Sequence, residues 1–183
     1  WTDFGGAMAT LPQISRLGDS PVEVECGGSY TDAGATATDQ CGTDITGSIE
    51  TVNAVNTDDV RSYTVSYNVT DEAGNAASEE RTVNVVDTIV PVISLLGENP
   101  MVTECGDAYV EAGATASDSC EGDLSALISI DAGGVNMDET GVYSITYDVS
   151  DSTGNNAVQV VRDVQVVDTT PPVMTRIGSS FMV

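Results

Sequence analysis

The chain has 183 residues, of which 29 are acidic and 5 basic, giving a formal net charge of −24 at neutral pH. All five basic residues are Arg, with no Lys or His, which excludes a nucleic-acid interface because phosphates need a basic footprint. The 40% hydrophobic content falls in short alternating runs that exclude disorder, and no run approaches the length of a membrane span.

"WTDFGGAMAT" (1–10) matches nothing else in the chain. It is expected either to dock on a neighbour or to remain a free terminus. "PQISRLG" (12–18) reads as an opening strand. "ECGGSYTDAGATATDQC" (25–41) follows as a Cys-to-Cys segment with small Ala residues expected to pack inward. In "SYTVSYNVT" (62–70), Tyr63, Val65, Tyr67 and Val69 alternate with polar residues, so one face meets a core and the other meets water. "DEAGN" supplies a turn, and "RTVNVVD" (81–87) returns as the hairpin partner.

The same succession then repeats. "PVISLLG" (91–97), "ECGDAYVEAGATASDSC" (104–120), "VYSITYDVSDSTGN" (142–155) and "RDVQVVD" (162–168) match the first series in order. "PVMTRIG" (172–178) is a third copy of the opening strand. The expected organisation is an N-terminal segment (1–10), repeat one (11–88), repeat two (89–169) and a closing segment (170–183). Short Pro-stiffened linkers separate the repeats. Several short strands with Gly and Asp turns predict an all-β fold of tandem β-sandwiches.

The combined pattern resembles the immunoglobulin-like repeats of large bacterial surface and secreted proteins, kin to the hyalin repeat. It comprises D-T-x-x-P-x-I, then Y-x-x-A-G-A-T-A-x-D-x-C, then Y-x-[VI]-x-Y-x-V-x-D-x-x-G-N and R-x-V-x-V-V-D. The resemblance covers residues 11–183 and implies that the tandem β-sandwiches are immunoglobulin-like, with a structural, adhesive or spacer role. It departs from antibody domains, because the repeats contain no Trp and their cysteines lie too close together for the usual inter-sheet bridge.

Cys26, Cys41, Cys105 and Cys120 allow three connectivities. Repeat symmetry selects Cys26–Cys41 and Cys105–Cys120, each closing a loop worth roughly 3 kcal/mol in the chain-entropy model. Structural zinc is disfavoured by the lack of His and of any C-x-x-C motif. A nucleophilic Cys also lacks a His base. Disulfides place the chain outside the cell or on its surface.

Acidic residues cluster in the turns: Asp39 and Asp44 around Cys41, Asp118 and Asp123 around Cys120, and Asp87 and Asp168 at the repeat ends. Calcium takes oxygen ligands and suits such loops, but Asp in turns also caps its own backbone. Both readings stand. The D-x-x-G-N turns favour the structural one. Asn68 lies in an N-x-T sequon on the outer face of its strand. A glycosidase pair is disfavoured, since an active site is not normally copied with every spacer.

Val173, Met174, Ile177, Phe181 and Val183 are expected to form a strand. It either begins a third repeat of a longer array or pairs with another subunit by strand addition. The leading expectation is a non-catalytic structural or adhesive module of a stalk, adhesin or filament. Its partners would be neighbouring repeats or identical subunits arranged head to tail. The alternatives are a self-assembling filament subunit and a carbohydrate- or ligand-binding accessory module of a secreted enzyme.

Overall fold

The computed structural model describes residues 11–175, 177 and 178. The N-terminal segment, Phe181 and Val183 lie outside the described residues. The chain divides into two compact units, Trp1–Thr88 and Ile89–Val183. The regular secondary structure of each is almost entirely strand, as the alternating runs predict.

In the first unit, β1 (Gln13–Arg16) pairs antiparallel with β3 (Ala35–Thr38). The second sheet holds β2 (Val22–Glu25), β4 (Glu50–Val52), β5 (Ser62–Thr70) and β6 (Ala76–Val86) in the order β2-β6-β5-β4. The β5–β6 hairpin turns at "DEAGN", with Thr70 opposite Ala76. Tyr63, Val65, Tyr67, Val69, Val83 and Val85 are buried, as their period of two requires. Among the Ala residues of the Cys-to-Cys segment, Ala37 is buried but Ala33 is exposed. The inward packing expected for the whole series therefore holds at β3 and fails in the loop before it, where no ladder fixes the alternation.

The second unit repeats the plan. β7 (Val92–Leu95), β9 (Ala114–Asp118) and β10 (Gly122–Asp123) form one sheet. β8 (Met101–Glu104), β11 (Ser129–Asp131), β12 (Gly141–Asp148) and β13 (Val160–Val167) form the other. Ile93 and Ala116 from the first pack against Ile145, Tyr147, Val164 and Val166 from the second.

One pairing follows from no local pattern. β2, near the entry of its unit, lies parallel to β6, which leaves it, with Val22 opposite Val83 and Glu25 opposite Val86. β8 and β13 repeat this, with Met101 opposite Val164 and Glu104 opposite Val167.

The closing segment has no partner strand among the described residues of this chain. Residues 171–175 form no strand, and Val173, Met174 and Ile177 are almost fully exposed. A strand is held by a neighbour's backbone, and none pairs with this segment among the described residues.

Candidate functional site

Each unit encloses one arginine. Arg81 is 2% exposed, and Arg162 is fully buried. Both occupy inward positions of the last strand, where alternation would otherwise place another Val. A buried guanidinium needs a carboxylate and a full set of acceptors. In the second unit, Arg162 Nε lies 3.3 Å from Glu111 Oε1 and donates to the Tyr147 hydroxyl at 2.9 Å. Its other nitrogens donate to the carbonyls of Leu96, Glu98 and Gly113. The Tyr147 hydroxyl in turn donates to Glu111 at 2.5 Å, and the Tyr109 hydroxyl donates to the same carboxylate.

The first unit uses Asp32 in place of Glu111. Arg81 Nη1 lies 3.0 Å from Asp32 Oδ1, which also accepts from Tyr67 at 2.6 Å and Tyr30 at 2.9 Å. Arg81 donates as well to the Leu17 carbonyl. In both units the carboxylate accepts from the amide of the Gly two residues on, Gly34 or Gly113. These glycines have φ of 78° and 81°, a conformation other residues rarely adopt. The repeated A-G of "DAG" and "EAG" is thus a turn that aims a carboxylate at a buried arginine.

Burial alone would raise the Asp32 and Glu111 carboxyls. The tyrosine hydroxyls, the glycine amide and the arginine outweigh it and hold both below the ordinary range. The same pairing pushes the Tyr67 and Tyr147 hydroxyls up, with burial the larger cause. Every Arg162 nitrogen is paired in this network, whereas Arg81 Nε is buried with no hydrogen-bond partner among the described residues. Sequence reasoning noted the repeated Arg but gave it no role. The available signal was a scarce cation at an apolar position, kept in both copies.

The acidic turns separate into two groups. Asp44 and Asp123 are exposed and accept from the amides of Thr46 and Ser125, each at 2.9 Å. Asp39 accepts from the amides of Cys41 at 2.8 Å and Thr43 at 2.7 Å. Asp168 is exposed, and Asp87 is buried. The D-x-x-G-N turns are closed by their own Asp. Asp71 accepts from the Ala73 and Asn75 amides and from Asn75 Nδ2. Asp151 accepts from the Gly154 and Asn155 amides and from Asn155 Nδ2.

In the second unit, Asp118 and Asp151 are both buried, with carboxylate oxygens within 4.8 Å of each other. The expected partner of Asp118 was Asp123, which is turned to Ser125 instead. In the first unit the corresponding Asp39 and Asp71 line an open cavity of about 320 Å³ together with Cys41 and Glu72. Asn68 is half-buried in the middle of β5.

The cysteine pairing within each repeat is corrected. Cys26 and Cys120 are disulfide-bonded, whereas Cys41 and Cys105 carry free thiols. The spacing permits Cys26–Cys41, but the two residues stand on different elements. Cys26 continues β2, its amide bonded to the Val86 carbonyl in the larger sheet. Cys41 sits in the Asp39 turn that follows β3 of the smaller sheet. A disulfide needs facing Cβ atoms about 4 Å apart. Cys105, bonded through its amide to the Val167 carbonyl, and Cys120, in the turn after β9, repeat that placement.

The family described as "Bacterial surface protein, Ig-like domain" matches residues 14–85 and 93–166. The chain belongs to this family. Its two matched segments are the two units just described. No curated protein matches the chain. Among solved structures, it is similar to the lipoprotein BT2262 from Bacteroides thetaiotaomicron at 27% identity and a TM-score of 0.38. That match covers 45% of this chain and 40% of the other. It is also similar to the M60 catalytic domain with the CBM51-1 and CBM51-2 domains from Clostridium perfringens ZmpB, at 12% identity and a TM-score of 0.45. Here 86% of this chain and 31% of the other are covered. The chain thus spans less than half the length of either structure. It is a tandem pair of surface immunoglobulin-like domains, and no helix among the described residues is long and apolar enough to cross a membrane.

Proposed function

We propose that the chain is a non-catalytic, load-bearing spacer of an extracellular stalk, adhesin or filament. The observation that carries this reading is the parallel pairing of β2 with β6 and of β8 with β13. When a strand near the entry of a unit lies parallel to its exit strand, tension along the chain pulls the two in opposite directions. Their hydrogen bonds are then sheared together instead of being opened one at a time. The exit is also clamped. Thr88 donates to Glu25 through its amide at 2.7 Å and its hydroxyl at 2.9 Å. Thr169 does the same to Glu104 at 2.6 and 2.8 Å. Single-molecule stretching of the full chain tests this reading. Two discrete, high-force unfolding events are expected. Smooth extension at low force would sink it.

A second reading, head-to-tail self-assembly, is favoured by the free thiols of Cys41 and Cys105. Joining Cys41 of one copy to Cys105 of another forms one S–S bond. The two protons and two electrons released pass to an external disulfide oxidant. A ladder on a non-reducing gel after mild oxidation, lost in Cys41→Ser, supports this. A strict monomer under those conditions overturns it. The carbohydrate-binding alternative gains little, since all six Tyr are buried or half-buried, and such sites use exposed aromatics. A glycan array without hits disposes of it.

A further inference from the structure

In the second unit, Asp118 Oδ1 accepts from the amides of Cys120 at 2.7 Å and Glu121 at 3.2 Å. Its Oδ2 is buried and has no hydrogen-bond partner among the described residues. The whole residue is 8% exposed, and Asp151 beside it is 7% exposed. Two buried carboxylates this close repel each other, and an unanswered carboxylate oxygen removed from water is costly. Among the described residues, no arginine forms an ion pair with either. The chain has no Lys or His to take that place. Neither carboxylate therefore has a countercharge among the described residues.

We propose that Asp118 and Asp151 hold a calcium ion, with Asp118 Oδ2 as the principal ligand. Calcium binds oxygen at 2.3–2.6 Å, so two oxygens on one ion lie at most about 5 Å apart, and the pair meets that limit. Both carboxylates are already oriented by their turns, Asp118 by two amides and Asp151 by the Gly154 and Asn155 amides. The ion finds its ligands in place, and water completes the shell. With two carboxylates, the affinity belongs with the weak sites of extracellular modules, roughly 0.1–1 mM. This site is independent of the load-bearing reading.

The test is calcium titration of the full chain after EDTA treatment and dialysis, in 150 mM-class salt to screen diffuse binding to the acidic surface. Calorimetry is expected to show one resolved site. In 10 mM calcium the thermal midpoint is expected to rise by about 5 °C over an equal ionic strength of sodium chloride. Asp118→Asn keeps the Oδ1 acceptor for both amides, so it is expected to fold while losing the resolved site and the shift. Asp151→Asn is expected to lose them too. Asp107→Asn, an exposed charge-matched control, is expected to retain both. A wild-type midpoint that responds equally to calcium and sodium, or an Asp118→Asn protein that keeps the full shift, overturns the proposal.

Discussion

Arg162 Nε stands 3.3 Å from Glu111 Oε1 with its own side chain wholly enclosed. That pair is not a surface ornament, since Arg162 has no water to fall back on. Removing one partner of a buried pair leaves the other charge stranded. Glu111→Ala is expected to destabilise the second unit by about 3 kcal/mol, read by urea unfolding. Glu111→Gln, which keeps one of the two acceptor oxygens used by Tyr109 and Tyr147, is expected to cost less. Equal stability of Glu111→Ala and wild type would show that solvent reaches the guanidinium.

The same network makes an acid limb. Asp32 and Glu111 have folded-state pKa values below their ordinary ones, because hydroxyl, amide and guanidinium donors outweigh burial. Asp71 and Asp151 are lowered too. A lowered carboxyl stabilises fully above its unfolded value and loses that contribution as pH falls through its folded value. The melting temperature is expected to hold between about pH 7 and 5 and to fall below about pH 4. Melting followed by circular dichroism across this range checks it. Glu111→Gln is expected to flatten the fall. A midpoint that climbs steadily on acidification would mean that relief of the −24 charge dominates instead.

Alkylation of the native, unreduced protein is expected to label two residues. Cys41 is exposed and Cys105 half-buried, so Cys41 is expected to react first. After reduction in denaturant, all four cysteines are expected to label. Peptide mass spectrometry reads both results. Four protected cysteines in native monomer would restore the pairing within each repeat.

Gly154 closes the second D-x-x-G-N turn with φ of 97°, and a Cβ there would meet no other atom. The cost of Gly154→Ala is therefore backbone strain alone. A loss of about 1–2 kcal/mol is expected, measured by chemical denaturation. Gly74→Ala, at φ of 86°, is expected to do the same in the first unit.

The period-two runs and the D-x-x-G-N turns marked β5, β6, β12 and β13, together with the inward side of each. Repetition marked two units, and family motifs marked their kind. These features are local: neighbours along the chain fix a strand's faces, and an Asp reaches amides two to four residues away. The network around Arg81 and Arg162 was only half visible. A scarce cation at an apolar position appears in the sequence, but its carboxylate lies on a distant loop.

The sequence by itself determined strands, turns, repeats and the acidic character of the loops. Tertiary structure alone decided which cysteines bond, that Asp118 faces Asp151 and not Asp123, and that the strand near each entry runs parallel to the exit strand. The physical reason is the same in each case. Spacing sets which partners are possible, whereas a bond, a shared ion or a sheet register needs two groups brought within a few ångströms by the packing of everything between them.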